Sequence, residues 1–316
     1  MNSSKSRCVI FGGGGFIGSH LTEALVENKY PVVVFSRKSE NALKNLSGVI
    51  KDIQFIGGDF NDIDSVKKAI KTNDIIFDLV ASSVPFSSTK SPIGEINHHI
   101  FSHVRFIEAC CKKKVGKIIF TSSGGGVYGD KKKLPISEDA LLEPISPHAI
   151  GKIAIEYYLN YYSKIYNIPY IIYRLSNPYG PRQISEKGFG IVPTLFSHAF
   201  KNTPPTLFNR GNLVRDFIYV DDLIEGIVKS FAKENKFKLY NIGSGRGTAI
   251  KDLWKMIKKI TGTNIKPNYG PQRQFDIQSI ILDISRFKRE FSWSPKTLLA
   301  KGLLDYSNYD SKKDLS

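Results

Sequence analysis

The chain has 316 residues, of which 41% are hydrophobic, and a formal net charge of +16. This length supports more than one compact unit, and no run of 18 apolar residues is present, which argues against a membrane-spanning helix or a membrane partner. The lysines are scattered along the chain, so we expect a basic solvated surface and no nucleic-acid partner. The three cysteines have no metal-site spacing, and we expect reduced thiols in a cytoplasmic protein.

The first predicted elements are a short apolar strand that ends at Phe11, a glycine-rich turn and an amphipathic helix. Gly12, Gly15 and Gly18 fit the pattern GxxGxxG. The first glycine permits a tight turn, the second lets a pyrophosphate approach the backbone, and the third brings helix and strand close together. Because the motif joins a strand to a helix, it predicts a dinucleotide-binding site.

The second predicted strand ends at Ser36 and Arg37. An acidic residue about 20 residues past the glycine turn binds the ribose 2′-hydroxyl of NAD, whereas an arginine suits the 2′-phosphate of NADP. Ser36 is neutral and Arg37 is cationic, which favours NADP over NAD. The alternative is that Arg37 is an ordinary surface charge and the cofactor is NAD.

Strands and helices alternate through the first half of the chain, which predicts an α/β fold with a Rossmann-type, doubly wound parallel sheet. Ligands of such sheets lie at the carboxyl ends of the strands, where Asp59, Phe60 and Ala81 are found. These residues also suit ordinary loops. The predicted cofactor-binding residues of this half are Gly12, Gly15, Phe16, Ile17, Gly18, Ser36, Arg37, Asp59, Phe60 and Ala81.

His148 and Lys152 are four residues apart at the start of a predicted helix, so they project from one face. A proton-accepting imidazole beside a fixed cation is chemically useful next to a cofactor. At this spacing on an exposed helix, however, both side chains are more often solvated.

The second half continues with shorter strands and helices, including a predicted strand from Ile265 to Tyr269. We expect two domains. The NAD(P)-binding Rossmann domain comprises residues 1–175 with about 214–243, and a smaller α/β substrate-binding domain comprises 176–213 with about 244–316.

Several motifs occur along the chain in the same order as in a known protein family. They are the glycine turn at 12–18, Asp59, Ser122-Ser123, VYG at 127–129, SPxAxxK at 146–152, RLSNPYGPRQ at 174–183, RDFIYVDD at 215–222 and YNIGSG at 240–245. The chain resembles the extended short-chain dehydrogenases/reductases of the NAD-dependent epimerase/dehydratase group, which act on nucleotide sugars.

The resemblance implies a catalytic Tyr-x-x-x-Lys pair and a hydroxyl residue at the end of the fifth strand. Lys152 is retained and is implied to hold the nicotinamide ribose, whereas His148 occupies the tyrosine position and Gly124 the hydroxyl position. Neutral imidazole is a competent base at pH 7. We therefore expect His148, Lys152 and Ser123 to be the catalytic residues, with Ser123 supplying the orienting hydroxyl.

The 4,6-dehydratases of the family carry an Asp-Glu pair where this chain has Gly125 and Gly126, which argues against dehydration. The resemblance then implies hydride transfer at the sugar C4, by a 4-epimerase or a C4 oxidoreductase. The alternative is a cofactor-binding regulatory or scaffold protein with reduced or no catalysis.

The resemblance also assigns the substrate and the partner chain. A nucleotide-diphosphate sugar is expected to contact Asn177, with Arg215 and Arg273 on its phosphates, since arginine pairs well with phosphate oxygens. A homodimer is expected through the helices at residues 93–113 and 153–165, where tyrosines are frequent.

Overall fold

The computed structural model describes residues 5–81, 85–184, 190–273 and 276–310. The chain divides into two compact units. The first comprises Met1–Ser123, Ser146–Arg174 and Ile227–Tyr240, and the second comprises Gly124–Ile145, Leu175–Gly226 and Asn241–Ser316. None of the helices in the described ranges has the length and apolar content needed to cross a bilayer.

The elements have the following bounds. The strands are β1 (Cys8–Phe11), β2 (Val32–Ser36), β3 (Ile53–Gly57), β4 (Ile75–Asp78), β5 (Lys117–Ser123), β6 (Tyr170–Leu175), β7 (Asn177–Tyr179), β8 (Thr206–Phe208), β9 (Val214–Tyr219), β10 (Leu239–Ile242), β11 (Gly247–Ala249) and β12 (Asn268–Gly270). The helices are α1 (Phe16–Glu27), α2 (Glu40–Leu46), α3 (Ile63–Ala69), α4 (Pro85–Lys90), α5 (Pro92–Glu95), α6 (Phe101–Lys112), α7 (Pro147–Tyr166), α8 (Ile191–Phe200), α9 (Val220–Ser230), α10 (Ile250–Thr261), α11 (Ser285–Phe291) and α12 (Leu299–Asp310). A π-helical turn, Ile96–Ile100, joins α5 to α6, and a 3₁₀ turn, Asn209–Gly211, follows β8.

A seven-stranded parallel sheet with the order β10-β6-β5-β4-β1-β2-β3 organises the first unit. The order reverses between β1 and β4, because the chain leaves β3 and returns beside β1. All four residues of β1 are buried, as expected for a strand covered on both faces. The predicted α/β class with a doubly wound Rossmann-type sheet is confirmed.

The second unit contains a three-stranded sheet, β11-β9-β7, and a two-stranded sheet, β12-β8. Aromatic and aliphatic side chains such as Tyr179, Phe217 and Trp254 fill its core. The strand predicted from Ile265 to Tyr269 is wrong at its start, since β12 begins at Asn268. Pro267 explains the shift: it has no backbone N–H to donate to the neighbouring strand.

Packing groups two segments differently from the predicted domain ranges. Residues 124–145 and 214–226 belong to the second unit by their contacts, although the predicted ranges placed them with the Rossmann sheet. The assignment of a cofactor-binding and a sugar-binding role to the two parts stays a prediction.

Candidate active site

Helix α7 starts where its sequence provides a cap. The Ser146 side chain accepts a hydrogen bond from the Ala149 N–H at 3.3 Å, and Pro147 occupies the first turn, where its missing N–H costs nothing. The His148 N–H donates to Ser88 Oγ at 3.1 Å. Three features thus fix the first turn of α7, which carries the predicted histidine.

His148 and Lys152 are both buried, with 7% and 4% of their surface exposed, so they are not the solvated pair that their spacing also allowed. The Lys152 ammonium donates to the Thr121 carbonyl at 3.0 Å and lies 4.7 Å from the centre of the Phe120 ring. Burial, together with the Lys152 charge, lowers the pKa of His148 to about 3. His148 is therefore neutral at pH 7 and has a nitrogen lone pair that can accept a proton.

A buried ion pair holds α7 against the sheet. Arg174 of β6 donates from Nε and Nη2 to the two carboxylate oxygens of Glu156, at 3.1 and 2.6 Å. The Ser122 hydroxyl of β5 donates to the same carboxylate. Ser123, the next residue and the last of β5, is half-buried, and strand alternation directs its side chain away from the face on which Ser122 meets α7, so its orienting role stays a prediction.

A set of buried polar side chains next to α7 was not predicted from the sequence. The helix predicted over residues 93–113 is interrupted by the π-helical turn, and Glu95, His99 and His103 follow one another at four-residue spacing across it. All three are buried, and the His99 ring stacks 6.1 Å from the His148 ring at an interplanar angle of 21°. The spacing Glu-x-x-x-His-x-x-x-His was the signal available in the sequence.

Asp78, the last residue of β4, extends this set. His103 donates from Nδ1 to the His99 carbonyl at 2.7 Å, and its Nε2 lies 3.5 Å from the Asp78 carboxylate. Burial and the nearby charges strongly lower the pKa of His99, which keeps its ring neutral. Carboxylates, imidazoles and one ammonium therefore share a buried region next to His148.

The glycine turn fits a dinucleotide. Gly12 has a φ of 82°, which favours glycine, and a Cβ on Gly18 would lie 2.2 Å from the Gly12 carbonyl oxygen. Gly15 is exposed where α1 begins, and no side chain in the described ranges caps that end. The first N–H groups of α1, including those of Phe16 and Ile17, thus suit a pyrophosphate.

The other predicted cofactor residues lie at strand ends of the same sheet. A Cβ on Gly14 would lie 2.9 Å from Ser36 Oγ, so Ser36 faces the glycine turn, whereas Arg37 is exposed. Asp59 and Ala81 are exposed, while Phe60 packs 4.8 Å from the His103 ring. Ser82 and Ser83, which follow Ala81 in the sequence, lie outside the described residues.

The three predicted substrate residues belong to the second unit. In the described part of the chain, the buried Asn177 Oδ1 has no hydrogen-bond partner. Arg215 donates from Nη1 to the Val214 and Ile277 carbonyls, both at 2.8 Å, and burial lowers its pKa. Arg273 pairs with Asp276 at 2.7 Å and lies over the Phe208 ring at 4.1 Å. Their contact with a diphosphate stays a prediction.

Comparison with protein families decides the relationship. Residues 8–243 match the model of the NAD dependent epimerase/dehydratase family, which covers the glycine turn, α7 and β10. The chain belongs to this family. The resemblance read from the sequence is thereby confirmed at the level of the family.

Individual members of the family align with almost the whole chain. The UDP-glucose 4-epimerase of Mycolicibacterium smegmatis is 31% identical over 94% of this chain and 96% of its own length. The crystal structure of the Thermotoga maritima UDP-glucose 4-epimerase with UDP-glucose has a TM-score of 0.90 and 32% identity, covering 98% of this chain and all of the other. The Bacillus cereus UDP-glucuronic acid 4-epimerase, solved with UDP-glucuronic acid and NAD, has a TM-score of 0.87 and 28% identity, covering 97% and 99% of the two chains.

The depressed pKa of His148 predicts acid sensitivity of the fold. In the unfolded chain a histidine titrates near 6.5, so between that pH and about 3 the unfolded state binds a proton that the folded state does not. Stability is then lost as the pH falls below about 6.5. In His148→Phe, the drop in the free energy of unfolding between pH 7 and pH 5, measured by urea denaturation, should be smaller by about 2 kcal/mol.

The exposed His98 provides the control for this measurement. His98→Phe should lose as much stability between the two pH values as the parent protein. Equal drops in the His148→Phe variant and the parent would contradict the assignment of acid sensitivity to His148.

Proposed function

We propose that this protein is an NAD-dependent nucleotide-sugar 4-epimerase in which His148 takes the place of the usual tyrosine base. The observation that carries the proposal is a buried, neutral imidazole one helical turn from a buried ammonium, His148 and Lys152. The relatives named above are 4-epimerases of UDP sugars, which favours epimerisation over net oxidation or reduction and favours a UDP sugar as substrate.

The proposed reaction begins with oxidation at C4. His148 takes the proton of the 4-hydroxyl on its ring nitrogen while the C4 hydrogen leaves as hydride, and the alcohol becomes a ketone. NAD, when bound at the glycine turn, supplies the acceptor and later the donor of that hydride. His148 returns its proton to the C4 oxygen when the ketone is reduced from the other face.

Lys152 and Ser123 have supporting roles in this proposal. The Lys152 charge keeps His148 unprotonated before the reaction and offers donors to ribose hydroxyls. Ser123 offers a hydroxyl that orients the sugar, since the neighbouring Ser122 is engaged by Glu156. Asn177, Arg215 and Arg273 would hold the diphosphate.

Removal of the imidazole tests the base. In His148→Phe, kcat for UDP-glucose and UDP-galactose interconversion, followed by proton NMR, should fall at least about a hundredfold, because the proton acceptor is lost. Binding of NAD should persist, since the glycine turn is untouched. His98→Phe is the matched control and should keep full activity.

Two results would count against this assignment. Full activity of His148→Phe would show that another group is the base. Absence of turnover with UDP, GDP and dTDP sugars in the unmodified protein, together with tight cofactor binding, would favour a regulatory or scaffold protein that kept the fold and lost the chemistry.

We further propose that the cofactor is NAD. The preference for NADP that Arg37 suggested is not supported, because the family is NAD-dependent and the Bacillus cereus relative was solved with NAD. Arg37 is exposed, where water already solvates its charge. Calorimetric titration should therefore give a lower Kd for NAD than for NADP, and a lower Kd for NADP would contradict the proposal.

An exposed apolar face on α6 and α7 supports the proposed homodimer. Phe101, Ile150, Tyr157 and Tyr161 are 52 to 65% exposed although they are large and apolar or aromatic. Such a face on adjacent helices suits a second copy of the same chain, because a two-fold axis pairs it with itself.

Charge placed on this face should separate the copies. Tyr157→Glu with Tyr161→Glu should sediment as a monomer at concentrations where the parent is a dimer. Tyr269→Glu, at a similarly exposed tyrosine of the second unit, should stay dimeric. A monomeric parent protein would overturn the dimer proposal.

The cytoplasmic location stays a prediction.

A further inference from the structure

Lys152 is a buried cation that needs a counter-charge. A buried ammonium without one loses its proton, since burial favours the neutral amine. Charged and titratable groups reach it from each packed element in the described part of the first unit. They are Asp78 on β4, Glu95 on α5, His99 in the π-helical turn, and His148 and Glu156 on α7, while Thr121 of β5 contributes its carbonyl and His103 of α6 contacts His99.

Two of the three carboxylates already have other partners. Glu156 accepts from both Arg174 and Ser122, so its charge is balanced by the guanidinium. Asp78 accepts from the Val80 N–H at 3.2 Å and faces His103 Nε2 at 3.5 Å. The charge of Glu156 is therefore balanced by a guanidinium, whereas Asp78 has a backbone donor and also favours the charged form of Lys152.

Glu95 differs from both. It is 4% exposed, and its buried Oε1 has no hydrogen-bond partner within the residues that the structure describes. An unpartnered buried carboxylate oxygen destabilises the folded state unless its charge stabilises another group. The nearby imidazole of His99 is fully buried and also has no hydrogen-bond partner there, so it does not neutralise Glu95.

The residue before Lys152 makes room for this carboxylate. A Cβ on Gly151 would lie 2.9 Å from Glu95 Oε1 and 3.3 Å from His99 Cδ2, both closer than side chains normally approach. Glycine inside a helix is less favourable than alanine. Glycine at this position of α7 is thus explained by the close approach of Glu95 and His99.

We propose that Glu95 is a counter-ion that, together with Asp78, keeps Lys152 charged, and that the missing side chain of Gly151 lets the Glu95 carboxylate approach α7. Glu95 is then a positioning residue, because it acts on the chemistry through Lys152. The importance of this effect for catalysis rests on the proposed function, whereas the electrostatic coupling itself does not. In agreement, burial lowers the pKa of Lys152, and the charges of Asp78, Glu95 and Glu156 raise it.

The test measures Lys152 without cofactor or substrate. The protein is labelled with ¹³C and ¹⁵N in lysine, and the Lys152 side-chain signal is assigned by its loss in Lys152→Met. Titration from pH 6 to pH 10 should show Lys152 losing its proton about one pH unit lower in Glu95→Gln than in the parent, as expected when one nearby opposite charge is removed. Glu95→Asp, which keeps the charge, should restore most of the difference.

Glu138→Gln is the matched control, since Glu138 is another buried glutamate and belongs to the second unit. It should leave the Lys152 titration unchanged. Gly151→Ala gives a second route to the same result: the added Cβ displaces Glu95, so Lys152 should again titrate lower. This variant decides the matter if Glu95→Gln does not fold.

Identical Lys152 titrations in the parent and in the folded Glu95→Gln or Gly151→Ala variant would overturn the proposal.

Catalysis provides a separate readout. The alkaline limb of kcat/KM should move to lower pH in Glu95→Gln by the same amount, because activity needs the charged ammonium. Failure of the epimerase proposal would appear as absent turnover in the parent, and the lysine titration would still be decided.

Discussion

The burial of a single ammonium group, that of Lys152, is the constraint on which the rest of the candidate site depends. A cation with 4% exposure needs acceptors and counter-charges, and the first unit provides the Thr121 carbonyl, the Phe120 ring and carboxylates on neighbouring elements. The same charge, added to burial, keeps His148 neutral. A neutral imidazole can accept a proton at pH 7, whereas a phenol must first lose its own proton.

The capping and packing of α7 determine the positions of His148 and Lys152. A serine cap and a proline start α7, and the buried Glu156–Arg174 pair holds the helix against the sheet. Gly151 leaves space for the side chains of Glu95 and His99. Buried ion pairs of this kind are costly to break, although they are weak evidence of added stability. Here the pair fixes the orientation of α7, and with it the face that carries His148.

Much of this arrangement follows from sequence patterns, and the remainder depends on contacts that no pattern encodes. The glycine turn, the alternation of strands and helices and the SPxAxxK motif predicted the sheet and the family, because each reports a local requirement of the backbone. The four-residue spacing of Glu95 and His99 was visible in the sequence, but their approach to α7 depends on the missing side chain of Gly151, which no spacing reveals. The preference for NADP is not supported, and a cation at the end of a strand, such as Arg37, does not by itself reveal whether it faces ligand or water.

In the proposed reaction, His148 takes the proton of the 4-hydroxyl while hydride leaves C4 of a UDP sugar and later returns to the same carbon. UDP-glucose carrying deuterium at C4 reports on this return, with the product examined by NMR and mass spectrometry. We expect UDP-galactose that retains the deuterium at C4 in water, and loss of this conversion in His148→Phe. Exchange of the C4 deuterium with solvent, or unchanged conversion without His148, would contradict it.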